Sequence, residues 1–204
     1  MDYLASDLQC ALTVLQDGGV ILYPTDTVWG IGCDATNSAA VRRIYRLKHR
    51  ADSRAMLVLI APPRRGAPEP SYPDRVTCRA DSPEVCPAEA RPTTYIHSVP
   101  TAIAQGLIGA DIAPELIAAD HTIGIRVTNE AFSRALCEGL GHPLVSTSAN
   151  ISGEPSATCY AQISDPIKQA VDYICAYRRN DETEHQPSRI IRIAPDGTPI
   201  VLRE

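Results

Sequence analysis

The stretch Pro143-Leu144-Val145-Ser146-Thr147-Ser148-Ala149-Asn150-Ile151-Ser152-Gly153-Glu154-Pro155-Ser156 joins a short apolar run to a dense series of small polar side chains. The apolar run predicts a buried strand over 143–146. Six of the eleven residues from Ser146 to Ser156 carry a short hydroxyl or amide group, more than the end of a strand requires. Such groups can surround a polar ligand without filling its space. We therefore expect a site for a small, polar, anionic ligand at this strand end.

Helices and strands alternate along the rest of the chain. Apolar residues at helical spacing predict helices over 7–17, 39–47 and 129–140, with a further helix within 160–177. Short apolar runs predict strands over 20–23, 56–60, 93–96 and 123–127, and a closing hairpin of 189–193 and 200–202 that turns at Asp196-Gly197. This order predicts an α/β or α+β fold.

The composition is that of one globular domain. A chain of 204 residues can bury a core of its own, so we expect a single domain over 1–204. The net charge of −5 excludes the broad basic surface that drives non-specific binding to nucleic acids, so an anion site must be built from a few local cations. The chain has neither a leader-like N-terminus nor an apolar run of about 18 residues, and we expect a cytoplasmic protein without a membrane segment.

The cysteines and histidines indicate neither disulfides nor a metal centre. The seven cysteines include no C-x-x-C pair, and the five histidines lack the spacing of metal ligands. We expect buried free thiols in a reducing compartment and no metal held by protein side chains.

The segment of about 61–92 differs from the rest of the chain. It contains eight prolines, five arginines and two cysteines, with almost no aliphatic residues, so no helix can run through it. A loop of about thirty residues is uncommon inside a compact domain. Three interpretations remain open: a mobile lid, a disordered insertion, or a stretch translated out of frame between two compensating insertions or deletions.

Three further features carry polar groups that chemistry could use. Tyr23-Pro24-Thr25-Asp26-Thr27-Val28-Trp29-Gly30-Ile31-Gly32 is either an ordinary turn after a strand or a ligand loop with exposed hydroxyls and glycines that allow close approach. Lys48-His49-Arg50 either complements the end of a helix dipole or grips phosphate oxygens. Arg126, a charge within an apolar strand, pairs with either a structural carboxylate or a bound one.

Taken together, these features resemble the YrdC/Sua5 (TsaC) family, the L-threonylcarbamoyladenylate synthases. The resemblance rests on Pro24-Thr25-Asp26-Thr27-Val28-Trp29-Gly30, on Lys48-x-Arg50, and on Ser148-x-Asn150-x-Ser152-Gly153-x-Pro155-Ser156. Each motif is weak alone, but the three in this order are specific. The resemblance covers nearly the whole chain except about 61–90.

The resemblance implies a fold and a reaction. The fold is a twisted, mixed sheet with flanking helices around a deep cationic cavity. The reaction condenses ATP, accompanied by Mg²⁺, with L-threonine and bicarbonate, and yields threonylcarbamoyl-AMP and pyrophosphate. The product feeds the t6A modification of tRNA through a separate transferase, and a weak contact with tRNA itself is a further possibility. The alternative is a noncatalytic module on the same fold that binds nucleotides or RNA.

The resemblance also implies roles for individual residues. Thr27, Arg126 and Ser146 match positions that bind threonine. The nucleotide contacts match Arg50, Thr122, Ser148, Asn150, Ser156 and Arg203. Lys48 and Arg50 are the catalytic pair, which would neutralise the charge of the leaving pyrophosphate.

The sequence also departs from the family pattern. Trp29 replaces the usual Tyr, while Arg54 and Leu59 stand where some members have Asn and His contacts. Arg91-Pro92-Thr93-Thr94 keeps only part of a P-G-P-x-T motif, and the length fits the short form without the additional Sua5 domain.

Overall fold

The computed structural model describes residues 3–49, 56–62, 91–194 and 198–204. Its five α-helices are α1 Tyr3–Gln16, α2 Ser38–Leu47, α3 Val99–Ala104, α4 Ala131–Leu140 and α5 Asp165–Ala170. Its nine strands are β1 Ile21–Tyr23, β2 Gly30–Gly32, β3 Leu57–Ile60, β4 Thr93–Ser98, β5 Thr122–Val127, β6 Leu144–Ser148, β7 Tyr173–Ile174, β8 Arg189–Ile193 and β9 Pro199–Arg203. Short 3-10 turns lie at Pro114–Leu116 and Tyr160–Gln162.

The nine strands form one mixed sheet in the order β7-β1-β2-β6-β3-β5-β4-β8-β9. Three pairs are parallel (β1 with β7, β3 with β5, β4 with β8), and the other five are antiparallel. The predicted α/β class with a mixed sheet and flanking helices is therefore confirmed.

The two faces of the sheet bury different partners, because successive residues of a strand point to opposite sides. Val58 of β3 and Ile125 of β5 belong to the apolar core that includes Val41 and Ile44 of α2. Leu59, the neighbour of Val58, belongs instead to a second core, whose other members come mainly from α1, α4, β1 and β6.

The second face is covered at one end and open at the other. Arg126, Gly124 and Thr122 of β5 alternate with Ile125 and Ile123, which face the first core. The register pairs Leu57 with Gly124 and Leu59 with Arg126, so these residues share one face. Helices α1 and α4 pack where this face carries aliphatic side chains. Beyond them the face carries the short and polar side chains of β5, and there a cavity forms.

Most predicted elements are confirmed within a few residues. Asn37 caps α2 by accepting a hydrogen bond from the Ala40 backbone N–H at 3.1 Å, and Gly141, at a φ of 75°, ends α4. The predicted hairpin forms as β8 and β9. Its turn at Asp196-Gly197 lies outside the described residues, as does nearly all of the unusual segment 61–92.

Two local predictions differ from the structure, and one helix has no counterpart among the predictions. The helix expected within 160–177 is confined to α5, because the chain then turns into β7 and pairs with β1. Helix α3 was not predicted. Strand β2 was read as a turn because its sequence, Gly30-Ile31-Gly32, is poor in strand-forming residues.

The described part of the chain contains neither a membrane-spanning helix nor a cluster of metal-binding side chains. None of its helices has both the length and the apolar character that a bilayer span requires. No three of its His, Cys, Asp and Glu side chains are grouped as a metal site would need. The five cysteines in these ranges are free thiols, of which Cys10 alone is exposed.

Candidate active site

The open end of the sheet encloses a cavity of about 520 Å³. Its floor is β5 with its neighbours β3 and β4 and, beyond β4, strand β8, and one wall is β6. The described lining residues include three guanidinium groups, from Arg126, Arg192 and Arg203, and one carboxylate, from Asp120. A lining with this excess of positive charge favours an anionic ligand.

Seven of the ten candidate residues line this cavity: Thr27, Thr122, Arg126, Ser146, Ser148, Ser156 and Arg203. They come from the loop after β1, from β5, from β6 and the loop that follows it, and from β9. Lys48 and Asn150 are not among the described lining residues, and Arg50 and Arg54 lie outside the described ranges. Trp29 contributes to the wall, whereas Leu59 is fully buried in the second core.

Arg126 is the most deeply buried charge of the cavity, with 3% of its side chain exposed. Its Nη2 lies 3.0 Å from Asp26 Oδ1, so the structural carboxylate that the sequence left open is present. The two groups are within hydrogen-bond distance without being aligned for one, and the contact is therefore an ion pair. Arg126 Nε is buried and has no hydrogen-bond partner among the described residues. An unpaired buried donor is costly, and the side chain that carries this one lines the cavity.

The turn after β1 is fixed by its own threonines. Thr25 Oγ1 accepts a hydrogen bond from the Thr27 backbone N–H at 3.0 Å, and it lies 2.8 Å from the Val28 carbonyl oxygen and 2.9 Å from Thr27 Oγ1. Arg178 Nη1 donates to the Thr25 carbonyl oxygen at 3.0 Å from outside. The turn therefore holds the Thr27 hydroxyl and the Asp26 carboxylate on a rigid frame.

Close packing brings this turn against β6. A methyl group at Gly30 would lie 3.3 Å from Ser146 Oγ and 3.2 Å from Tyr23 Cε1. The absence of a side chain at Gly30 therefore allows β2 and β6 to pack closely here. Tyr23 is fully buried, and its hydroxyl donates to the Val145 carbonyl oxygen at 3.3 Å. Burial raises the pKa of Tyr23 far above its ordinary value, so the phenol stays neutral beside the cavity.

The other end of the cavity contains a second polar group. Thr122 Oγ1 donates to Asp120 Oδ1 at 2.6 Å, and Arg192 Nη2 donates to Asp120 Oδ2 at 3.0 Å. The hydrogen bond from Thr122 and the charge of Arg192 hold the pKa of Asp120 below its ordinary value. Asp120 therefore accepts hydrogen bonds as a carboxylate.

Arg203 reaches the cavity from β9. It donates to the Ser188 carbonyl oxygen through Nη2 at 2.7 Å and through Nε at 3.0 Å. Burial, together with the positive charges of Arg126 and Arg91, lowers the pKa of Arg203. A bound anion would relieve the repulsion between Arg126 and Arg203.

Lys48 has a position that the sequence did not predict. It is the C-cap of α2 and only 1% exposed. Its Nζ donates to the Ser148 carbonyl oxygen, to the Asn150 carbonyl oxygen at 2.6 Å and to Asn150 Oδ1 at 3.2 Å. Its own carbonyl accepts from the Ser152 backbone N–H at 2.9 Å. Lys48 therefore fixes the loop after β6 from behind the cavity wall.

Asn150 completes this anchor from within the loop. Its Oδ1 accepts from Ser148 Oγ, and its Nδ2 donates to the Glu154 carbonyl oxygen at 2.6 Å. The polar stretch that opened the sequence is thus divided in two. Ser146, Ser148 and Ser156 face the cavity, while Asn150 holds the loop in shape.

Sequence reasoning missed several polar residues of the site, namely Asp26, Thr94, Asp120, Ser188 and Arg192. The sequence did contain a signal for Arg192, because a charged residue between the apolar Ile191 and Ile193 of a strand indicates a polar face at that position. Asp26 belongs to the motif over 24–30, but no local pattern shows that it pairs with Arg126 or that Asp120 pairs with Arg192, because these partners lie far along the chain.

Comparisons with known proteins place the chain in a family. The model of the Sua5/YciO/YrdC family, described as "Telomere recombination", matches residues 13–204. The threonylcarbamoyl-AMP synthase of Pseudoalteromonas translucida is 34% identical over 169 residues, which are 82% of this chain and 84% of the relative.

Two solved structures share the fold. Escherichia coli YciO has a TM-score of 0.69 at 25% identity, over 98% of this chain and 89% of that one. P. abyssi Sua5 complexed with L-threonine has a TM-score of 0.68 at 20% identity, over 96% of this chain and 53% of that one.

Proposed function

Because the chain belongs to the Sua5/YciO/YrdC family, we propose that it is a threonylcarbamoyl-AMP synthase, which condenses ATP, L-threonine and bicarbonate into threonylcarbamoyl-AMP and pyrophosphate. The observation that carries this proposal is the cavity itself, where a buried, partly unpaired arginine faces a wall of small hydroxyl groups. The chain spans most of the length of a relative that carries this name.

The threonine is assigned to the end of the cavity around Arg126. The free Nε of Arg126 would donate to the carboxylate of the amino acid, since a guanidinium and a carboxylate match in charge and geometry. Thr27 and Ser146 lie at this end and supply hydroxyls for the polar groups of the substrate.

The nucleotide is assigned to the remainder of the cavity. Ser148 and Ser156 offer hydroxyl donors from the β6 side, Arg203 offers a guanidinium, and Thr122 lies at the far end of β5. Arg50 belongs to the same proposal through its motif and lies outside the described residues. Lys48 and Asn150 would contribute through the loop that they anchor.

Catalysis would rest on positioning and on charge neutralisation. The threonine amine adds to the carbon of bicarbonate, one C–O bond of bicarbonate breaks, and the released hydroxyl leaves as water with a proton from the amine. An oxygen of the resulting carbamate then attacks the α-phosphorus. The bond from this phosphorus to the β-phosphate oxygen breaks, and pyrophosphate leaves with the electron pair. No step requires a protein nucleophile, and fixed cations stabilise the growing charge.

Mg²⁺ belongs to this proposal as part of the nucleotide substrate. Mg²⁺ is commonly held by substrate phosphates and water with only one or two carboxylates. The single carboxylate among the described lining residues, Asp120, fits such a role better than a site built wholly from protein. The product would then pass to a separate transferase that modifies tRNA, and a weak tRNA contact is a further part of the proposal.

The experiment follows pyrophosphate release from ATP in the presence of bicarbonate, with and without L-threonine. We expect release that depends on threonine. Binding of ATP without any such release would instead support a noncatalytic nucleotide-binding module.

A further inference from the structure

Asp26 is a largely buried carboxylate beside the cavity to which the proposed reaction gives no role. Its side chain is 16% exposed, and its Oδ1 lies 3.0 Å from Nη2 of Arg126. Asp26 is not among the described lining residues, so its direct partner is Arg126 rather than the cavity.

The backbone that carries Asp26 is held in place independently of Arg126. Thr25, on one side, fixes the turn through Thr27 and Val28, and Arg178 binds the Thr25 carbonyl from outside. A rigid backbone on both sides of Asp26 gives it a fixed position from which to orient a longer and more flexible side chain.

Asp26 is the charged partner of Arg126 in the described structure. Arg126 and Arg203 repel one another across the cavity, and Arg203 is anchored by Ser188. In the described structure only Asp26 forms an ion pair with Arg126. The carboxylate engages Nη2 and leaves the buried Nε without a protein partner.

We propose that Asp26 is a positioning residue that orients Arg126 toward the carboxylate of the amino acid substrate and thereby sets the affinity for it. The proposal rests on the proposed function for the identity of the substrate. It requires no contact between Asp26 and threonine, because the effect passes through the guanidinium.

The test compares Asp26→Asn with the wild type, using Asp17→Asn as the control because Asp17 is an exposed acid at the end of α1. The initial rate of pyrophosphate release is measured against threonine and against ATP. We expect Asp26→Asn to raise the threonine KM about tenfold, while kcat and the ATP KM change less than twofold. An unchanged or lowered threonine KM, or an equal loss for both substrates, overturns the proposal.

A second comparison establishes whether Asp26 acts through Arg126. Asp26→Asn should leave the threonine KM unchanged within twofold when it is added to Arg126→Ala, because the group that it orients is gone. This comparison still decides the question if the single variant fails to fold, since the double variant lacks both buried charges. A further rise in the threonine KM in the double variant contradicts the proposal.

Calorimetry separates this inference from the proposed function. If wild-type protein releases no pyrophosphate, the proposed function fails, and titration with L-threonine and with threoninamide tests Asp26 on its own. Wild type should prefer the carboxylate ligand, and Asp26→Asn should reduce that preference about tenfold. An equal preference in both proteins, or no binding of threonine to either, overturns the role of Asp26.

Discussion

At the scale of single residues, Lys48 and Arg126 are both buried cations, but their surroundings differ. Arg126 lines the cavity and carries a buried donor, Nε, without a partner among the described residues, whereas Lys48 donates to carbonyl groups of the loop behind the wall. A buried ammonium without bonded acceptors would be prohibitively costly, and these acceptors satisfy it. The ammonium of Lys48 therefore stabilises the loop that carries Ser148.

We predict that Lys48→Met destabilises the protein by about 3 kcal/mol, because it strands buried carbonyl acceptors. Asn150→Ala should share part of this loss, so the double variant is expected to lose less than the sum of the two single losses. Urea unfolding of the four proteins measures this coupling, with Arg46→Met as the control for an exposed cation of α2. Wild-type stability in Lys48→Met, combined with lost turnover, would instead favour direct phosphate contact.

At the scale of elements, β2 explains why the cavity wall requires glycine. A methyl group at Gly32 would lie 2.4 Å from the Val145 carbonyl oxygen and 2.8 Å from Tyr23 Cε1. The first contact is with backbone of the neighbouring strand β6, which cannot move alone. The wall that carries Ser146 and Ser148 depends on this close approach.

We predict that Gly32→Ala lowers the free energy of unfolding by about 2 kcal/mol, in the range of overpacking in a tight core. Gly30→Ala should cost less, because its nearest neighbours are side chains at 3.2 to 3.3 Å. Thermal unfolding of both variants provides the comparison. Equal stability of Gly32→Ala and wild type would show that β2 and β6 can separate without cost.

A second link between elements depends on pH. His142 Nδ1 lies 2.9 Å from Oδ2 of Asp34, and this hydrogen bond raises the pKa of His142 above its ordinary value. Because the folded-state pKa is raised, the stabilisation is complete below the unfolded pKa of about 6.5 and is lost as pH rises through the folded value. His142 is partly exposed, so the gain should be about half a kcal/mol.

The measurement is the difference in melting temperature between wild type and His142→Gln at about pH 5.5 and about pH 8.5, on either side of the imidazole pKa. We expect the wild type to melt at a higher temperature than His142→Gln at the lower pH, and we expect this difference to be smaller at the higher pH. An advantage that is constant, or that grows with pH, would contradict the link.

At the scale of the whole molecule, the sequence predicted what local patterns encode. Helices α1, α2 and α4 follow from apolar residues at helical spacing, and β1, β3 and β6 follow from short apolar runs. Strand β2 could not be predicted in this way. Glycine is needed there because Val145 and Tyr23 pack closely against it from neighbouring strands, and these contacts are not visible in the local sequence.

The site was predictable to the extent that motifs mark it. Resemblance pointed to seven residues that line one cavity, although their roles remain predictions. It could not separate Ser148, which faces the cavity, from Lys48 and Asn150, which face the loop, since all three belong to the same motifs. The ion pair of Arg126 with Asp26 depends on the fold, which brings residues one hundred positions apart into contact.

The most direct test of the proposed function is the identity of the product. The protein is incubated with MgATP, L-threonine and isotopically labelled bicarbonate, and the nucleotides are separated and analysed by mass spectrometry. The account predicts threonylcarbamoyl-AMP that carries the label, formed together with pyrophosphate and absent when threonine is omitted. Bound but unchanged ATP, or AMP without the labelled carbamoyl group, would contradict it.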